Sequence, residues 1–364
     1  LIKFMSSQDR IQELEQELSK TKYNKKTQKA VGILKAKIAQ LKEKQASRKG
    51  PATSGFAVSK SGDATVILVG FPSVGKSTLL NILTGTKSEV AAYAFTTLTV
   101  IPGLLKYNSA KIQILDVPGI VEGAASGRGR GKEVLQMTRN ADLVIILLDI
   151  FHPEHLPVIE RELHDTHLRI NEVKPDVSIT KKERGGLDIG TTVKLTKIDR
   201  ETIAGICKEL KINNAQIVIR DDITQDQLID AIQKNKKYVP AITVINKMDL
   251  APDKAQQIIK QTHADLAVSG VTGENIEKLK ELIFTKLNFI RIYTKEARKE
   301  ADMTEPLIMK SGATIKDVCE KLHKDFVKKF RFSRIWGNSA KFPGQKVSLK
   351  QMLKDEDVVE IHVR

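Results

Sequence analysis

Ala64-Thr65-Val66-Ile67-Leu68-Val69-Gly70-Phe71-Pro72-Ser73-Val74-Gly75-Lys76-Ser77-Thr78 decides the fold of this chain. Residues 64–69 are a short apolar, β-branched run, as expected of a buried parallel strand. Gly70 ends it. Residues 76–83 then read as the first turns of a helix, with Leu79, Leu80, Ile82 and Leu83 available for packing. Gly-x-x-x-x-Gly-Lys-Ser therefore sits between a strand and a helix, the setting that gives the motif its meaning. Gly70 and Gly75 let the backbone turn so that successive N–H groups converge, and the helix N-terminus adds its dipole. Together they bind phosphate oxygens. The Lys76 ammonium reaches β and γ phosphates, and the Ser77 hydroxyl ligates Mg²⁺. Phe71, Pro72, Ser73, Val74 and Thr78 complete the cradle. The bland alternative is a Gly-rich turn with a chance Lys-Ser; the strand before it and the motifs after it argue against that.

A second stretch chooses the base. Residues 241–245 form another apolar β-branched run, followed by Asn246-Lys247-Met248-Asp249. Ligands of open α/β sheets bind at the carboxyl ends of strands. An ionised Asp249 only accepts hydrogen bonds. Guanine offers N1–H and N2–H₂ side by side, whereas adenine would leave the carboxylate unpaired, so the discrimination is strong. Asn246 serves guanine N7, and the Lys247 stem lies over the ring. Ser269-Gly270-Val271, after a strand at 265–268, takes the place of the last guanine-contacting loop. Gly270 departs from the usual Ser-Ala there.

Between these motifs, residues 111–115 lead as a strand into Asp116-Val117-Pro118-Gly119. Asp116 would hold Mg²⁺ through water, and the Gly119 N–H would contact the γ-phosphate. Upstream, Phe95-Thr96-Thr97-Leu98-Thr99 offers a hydroxyl for the remaining Mg²⁺ position, with Thr97 favoured. Such contacts exist only while the γ-phosphate is present, which makes these loops switches.

The motifs at 70–77, 95–99 and 116–124 and the Gly-Arg-Gly-Arg-Gly run at 127–131 together resemble the Obg-type GTPases. Within those, the chain is most similar to the developmentally regulated GTP-binding proteins (DRG). Arg291-Ile292-Tyr293-Thr294-Lys295 and Arg334-Ile335-Trp336-Gly337 resemble the C-terminal TGS domain of that family. The resemblance implies GTP and GDP as ligands, Mg²⁺ as cofactor and a translational role. It also implies, for eukaryotic members, a dedicated accessory protein.

The whole chain of 364 residues predicts two or three domains. Its formal charge of +16 and pI near 9.6 steer it toward polyanions, so a ribosome or RNA partner is expected over a merely solubilising surface. No apolar run approaches the length of a membrane span. Leu1-Ile2-Lys3-Phe4 before Met5 is too short for a signal peptide. Cys207 and Cys319 form no disulfide framework, which favours a reducing cytoplasm.

The expected architecture is α/β: a doubly wound phosphate-loop GTPase domain with three additions. Residues 1–60 hold a helical hairpin and linker. Its apolar stripes are Ile11, Leu14, Leu18 and Val31, Leu34, Ile38, Leu41. The second arm is basic through Lys29, Lys35, Lys37, Lys42 and Lys44, either to lie on RNA or to present a solvated face. Residues 61–171 and 238–288 are the two parts of the GTPase domain. From Asp149 to residue 241 is roughly ninety residues, too many for one β-α-β step, so 172–237 is an inserted α/β domain. Its expected pieces are a hairpin (177–181 with 187–195), a helix (200–210), a strand (215–220) and a helix (225–233). Residues 289–364 read as a ubiquitin-like β-grasp: strand 289–294, helix 314–326, strand 331–336 and strand 358–363, with Trp336 in the core or at a platform edge.

Where many small GTPases place a water-orienting Gln, this chain has Ile120, followed by Val121. Slow intrinsic hydrolysis is expected. The missing group has three candidate sources: K⁺, with Ser73 where K⁺ users often have Asn; Arg128 or Arg130; or a ribosomal component in trans. His152-Pro153-Glu154-His155 hints at a metal, but with no further Cys/His cluster it reads as a loop. Two rival readings are a GTP-binding scaffold without turnover and a nucleotide kinase. A membrane-signalling role lacks a lipidation motif.

Overall fold

The computed structural model describes residues 7–47, 62–85, 101–117, 140–296 and 299–363. Phe95 through Thr99, Pro118, Gly119, Ile120, Val121, Arg128 and Arg130 lie outside the described residues. The chain forms two compact units, one from Leu1–Ser54 with Glu172–Tyr238, the other from Gly55–Asn171 with Val239–Arg364.

The second unit is built on β1 (Ala64–Val69), β2 (Ile101–Tyr107), β3 (Ala110–Asp116) and β4 (Leu143–Asp149). All six residues of β1 are buried, as a central parallel strand requires. Short strands β5 (Leu168–Ile170) and β9 (Lys237–Val239) bracket the inserted segment, which carries β6 (Val177–Lys181), β7 (Leu187–Thr191) and β8 (Ala215–Ile219). The six-stranded sheet resumes with β10 (Ala241–Asn246) and β11 (Leu266–Ala267), in the order β11-β10-β4-β1-β3-β2. β1 runs parallel to both β3 and β4, and only the edge strand β2 is antiparallel. The chain leaves β1 for one side of the sheet and later crosses to the other. That makes the end of β1 the topological switch point, where a crevice opens for ligand. Helix Lys76–Thr84 (Leu79, Leu80, Leu83) and helix Ile276–Lys286 (Leu279, Ile283) cover one face. Helix Leu156–Asp165 covers the other through Ile159 and Leu163. The doubly wound expectation is met.

β12 (Phe289–Lys295), β13 (Leu307–Lys310), β14 (Phe330–Trp336), β15 (Gln345–Val347) and β16 (Asp357–Val363) make a mixed sheet in the order β13-β12-β16-β14-β15. Ile292, Ile335 and Val359 meet Ile315, Val318 and Cys319 of its helix in one core. The sequence reading lacked β13 and β15, short edge strands of four and three residues with little pattern of their own. It also joined two helices, Ile315–Leu322 and Lys324–Lys329, which His323 separates with an extended backbone. Trp336 is half-buried, and the Lys295 ammonium lies 4.6 Å from its ring centre. This β-grasp is tied to the six-stranded sheet at the amino ends of β1, β3 and β4. Asp63 accepts from the Lys111 N–H with one oxygen and from Lys321 Nζ (2.9 Å) with the other. Asp142 divides its oxygens likewise between the Thr65 N–H and Lys310 Nζ (2.7 Å).

In the first unit, helix Ser7–Lys20 and helix Gln28–Ser47 pack through Ile11, Leu14, Leu34 and Ile38, with Leu18 and Leu41 alongside. The second helix also packs on the inserted segment: Ala36 joins Ile203, Ile206 and Cys207 of helix Arg200–Glu209. Three lysines of the basic arm are engaged within the unit, Lys29 with Glu201 (3.5 Å), Lys35 with Asp226 (2.6 Å) and Lys42 with Glu15 (3.0 Å). One expectation fails here. β6 and β7 do not pair as a hairpin; β8 lies between them, antiparallel to β6 and parallel to β7. Ala215, Ile217 and Ile219 are wholly buried, so β8 is the apolar centre of this sheet and its two neighbours are the edges.

Candidate nucleotide site

Two glycines of the phosphate loop are required by close approach. Gly75 has φ of 93°, and a Cβ there would lie 2.4 Å from Asn246 Nδ2. A Cβ on Gly70 would lie 2.6 Å from the Leu147 carbonyl oxygen. The loop thus sits directly on β4 and on the Asn-Lys-Met-Asp segment, which a side chain would push apart. Val74 is buried beneath it.

Lys76 Nζ donates to the carbonyls of Gly70 (2.9 Å) and Phe71 (3.0 Å). Ser77 Oγ donates to Asp116 Oδ2 at 3.4 Å. The hydroxyl and carboxylate expected to serve one magnesium ion are therefore neighbours. Burial pushes the Asp116 carboxyl up, opposed by the Lys76 ammonium and the Ser77 hydroxyl.

Asn246 is 3 % exposed and acts as a strut. Its Nδ2 donates to the Val74 carbonyl (2.9 Å), and its Oδ1 accepts from the Gly270 N–H (3.0 Å). One side chain thereby joins the phosphate loop, the base-reading motif and the last loop. Its role here is to hold three segments in register, in addition to the base contact expected from sequence. Lys247 has a left-handed backbone (φ 64°), and its ammonium bonds Asp149 Oδ2 at 2.7 Å. Burial alone would raise the Asp149 carboxyl, but the Lys247 hydrogen bond and the Phe151 N–H outweigh it and the net shift is downward. Sequence reading missed Asp149 as Lys247's anchor. Its signal was its place at the carboxyl end of β4, directly beside the end of β10.

Ser269 is buried, and its hydroxyl accepts from the N–H groups of Val271 (3.3 Å) and Thr272 (3.0 Å), which closes the loop. Val271 is exposed. A Cβ on Gly270 would meet Asn246 Oδ1 at 3.5 Å, ordinary contact, so this backbone accommodates the alanine usual at that position. Met248 N donates to the Val268 carbonyl (3.2 Å), which ties the Asn-Lys-Met-Asp segment to the same loop. Phe71, Pro72, Ser73 and Thr78 flank the cradle, with Ser73 in a left-handed conformation (φ 61°). Val117 is buried just past β3.

Two acidic oxygens in this region test the fit to a nucleotide and its ion. Asp116 Oδ1 and Asp249 Oδ1 are both buried, and neither has a hydrogen-bond partner among the described residues. A buried, unpartnered carboxylate oxygen is costly. One stands beside the phosphate-loop serine, the other in the base-reading motif, so a hydrated cation and the N–H edge of guanine would satisfy them.

The chain matches three family descriptions: "50S ribosome-binding GTPase" over residues 65–182, "C-terminal region of MMR_HSR1 domain" over 184–289 and "TGS domain" over 290–363. It is 53 % identical over 366 residues to an uncharacterized GTP-binding protein of Methanocaldococcus jannaschii, covering 99 % of this chain and 94 % of the relative. Developmentally-regulated GTP-binding protein 1 of Xenopus laevis is 42 % identical, covering 97 % of this chain and 98 % of its own. Ribosome-interacting GTPase 1 of Saccharomyces cerevisiae is 41 % identical with the same coverage. No described helix is long and apolar enough to cross a membrane.

Proposed function

This chain belongs to the developmentally regulated GTP-binding protein family, and on that footing we propose that it hydrolyses GTP to GDP and phosphate as a switch on ribosomes or RNA. The observation that carries the GTP reading is the pair of unpartnered buried oxygens on Asp116 and Asp249, at the same end of one sheet. Asp249 takes the guanine N1–H and N2–H₂ groups. Asn246 fixes the distance between base and phosphates by bonding both loops. Lys76 turns from loop carbonyls to the β and γ phosphates, and the main-chain N–H groups around Gly75 cradle them. Ser77, Thr97 and Asp116, the last through water, would hold Mg²⁺, which would supply charge neutralisation to the phosphates. Thr97 and Gly119 carry the switch contacts to the γ-phosphate.

With Ile120 in the place of a water-orienting Gln, intrinsic turnover is slow, and full rate needs K⁺, Arg128 or Arg130, or a group from the partner. The ribosome reading is supported by the name of the yeast relative, the description matched over residues 65–182, and the charge of +16. The experiment is co-sedimentation with ribosomes at fixed salt, comparing a non-hydrolysable GTP analogue with GDP. Stronger pelleting with the analogue is the expected result. Equal pelleting in both states, lost on raising salt, would reduce the interaction to polyanion binding without nucleotide control.

A further inference from the structure

Among the described residues, one group of metal-ligating side chains stands outside the nucleotide chemistry: His152, Glu154 and His155. From the sequence, with no further Cys/His cluster, this stretch reads as a loop. The fold supplies compactness. β4 ends at Asp149, whose Oδ1 accepts from the Phe151 N–H and whose carbonyl accepts from the His152 N–H. Buried Ile150 pins the same turn. Pro153 then starts a single 3-10 turn, Pro153–His155. The three ligand atoms consequently lie within 4.8 Å of one another, with His152 Nδ1 3.0 Å from Glu154 Oε1.

A first-row ion binds imidazole and carboxylate at about 2.0–2.2 Å, which sets neighbouring ligand atoms of a tetrahedral shell about 3.3 Å apart. The His152–Glu154 pair is already near that spacing, and a small movement closes the third ligand. Two imidazoles and one carboxylate favour Zn²⁺, Co²⁺ or Ni²⁺ over Mg²⁺. His152 and Glu154 are exposed, which leaves outer positions to water.

The site has a mechanical connection. The His155 ring stacks on Phe71 at 3.9 Å between centroids, 24° between planes, and also on His152. Phe71 follows Gly70 in the phosphate loop, and its carbonyl accepts from Lys76. At the other end of the turn, Asp149 holds Lys247. The turn thus touches both the phosphate loop and the base reader.

We propose that His152, Glu154 and His155 form a site for a divalent transition metal, and that its occupancy fixes His155 against Phe71 and slows nucleotide release. The second half rests on the guanine-nucleotide reading; the first does not.

The test begins with Co²⁺ titrated into the nucleotide-free chain under excess Mg²⁺, read by visible absorbance. One equivalent should bind, and His152→Ala should weaken it by at least about tenfold. Equal affinity in His152→Ala overturns the site. Release of a fluorescent GDP is then timed with and without Co²⁺. A slowing of at least about fivefold is expected in the original chain and none in His152→Ala. His155→Phe keeps a ring on Phe71 while removing a ligand, so it should keep the metal-free release rate and lose the response. Stoichiometric Co²⁺ with an unchanged release rate overturns the coupling. A chain that binds Co²⁺ but no GDP would instead overturn the nucleotide reading and leave the metal site standing.

Discussion

The two ends of this protein's polar chemistry are arranged oppositely. At the nucleotide end, Asp116 and Asp249 each keep a buried oxygen with no partner among the described residues. In the hairpin–insertion unit, by contrast, Lys29, Lys35 and Lys42 each meet a carboxylate. An unmatched buried group marks where a ligand must complete the structure, while matched charges mark where the chain is its own partner. Positive charge is therefore a poorer guide to ligand binding here than unsatisfied negative charge. The arm that looked most like a polyanion binder spends part of its charge internally.

The largest effect should come from breaking the unmatched side. Lys76→Ala removes the ammonium meant for the β and γ phosphates and should lower kcat for GTP by at least about 100-fold. Multiple-turnover phosphate release measures it; undiminished turnover would end the GTPase reading, and no turnover in the original chain would favour the scaffold. Next comes Asp249→Asn, which exchanges an acceptor for a donor facing guanine. GTP affinity should fall about 100-fold and xanthosine triphosphate should become the better ligand, read by competition against a fluorescent nucleotide. Unchanged GTP affinity would remove the base-reading role. The smallest effect sharpens the matched side. A Cβ on Gly32 would meet Thr202 Cγ2 at 2.9 Å and Ile206 Cδ1 at 3.1 Å. Gly32→Leu should cost about 1–3 kcal/mol in urea unfolding while leaving GTP affinity intact. Unaltered stability would mean that the hairpin does not seat on the inserted helices.

What the sequence disclosed follows from contiguity. The phosphate loop and the Asn-Lys-Met-Asp motif are short runs whose chemistry is carried by adjacent residues, so Gly70–Thr78 and 246–249 could be read directly. Asp149 and His155 could not, because their meaning lies in Lys247 and Phe71, far away along the chain. The inserted sheet shows the same limit. Gly185 and Gly186 both take positive φ, as a turn signal promises, yet the strands they join are held apart by β8. The clue was present in Ala215, Ile217 and Ile219, an alternation more apolar than that of either neighbour. Local pattern gives strand existence, and burial demand decides which strand is central.

Helix Gln28–Ser47 and its partner helix Arg200–Glu209 are separated by the first half of the GTPase domain. During synthesis, passing from residue 47 to residue 209 takes roughly ten to thirty seconds. For that interval the surface around Gly32, Ile33 and Ala36 lacks the side chains that will cover it. The order in which this protein is made therefore leaves an early helix waiting for its counterpart while the first half of the GTPase domain is synthesised.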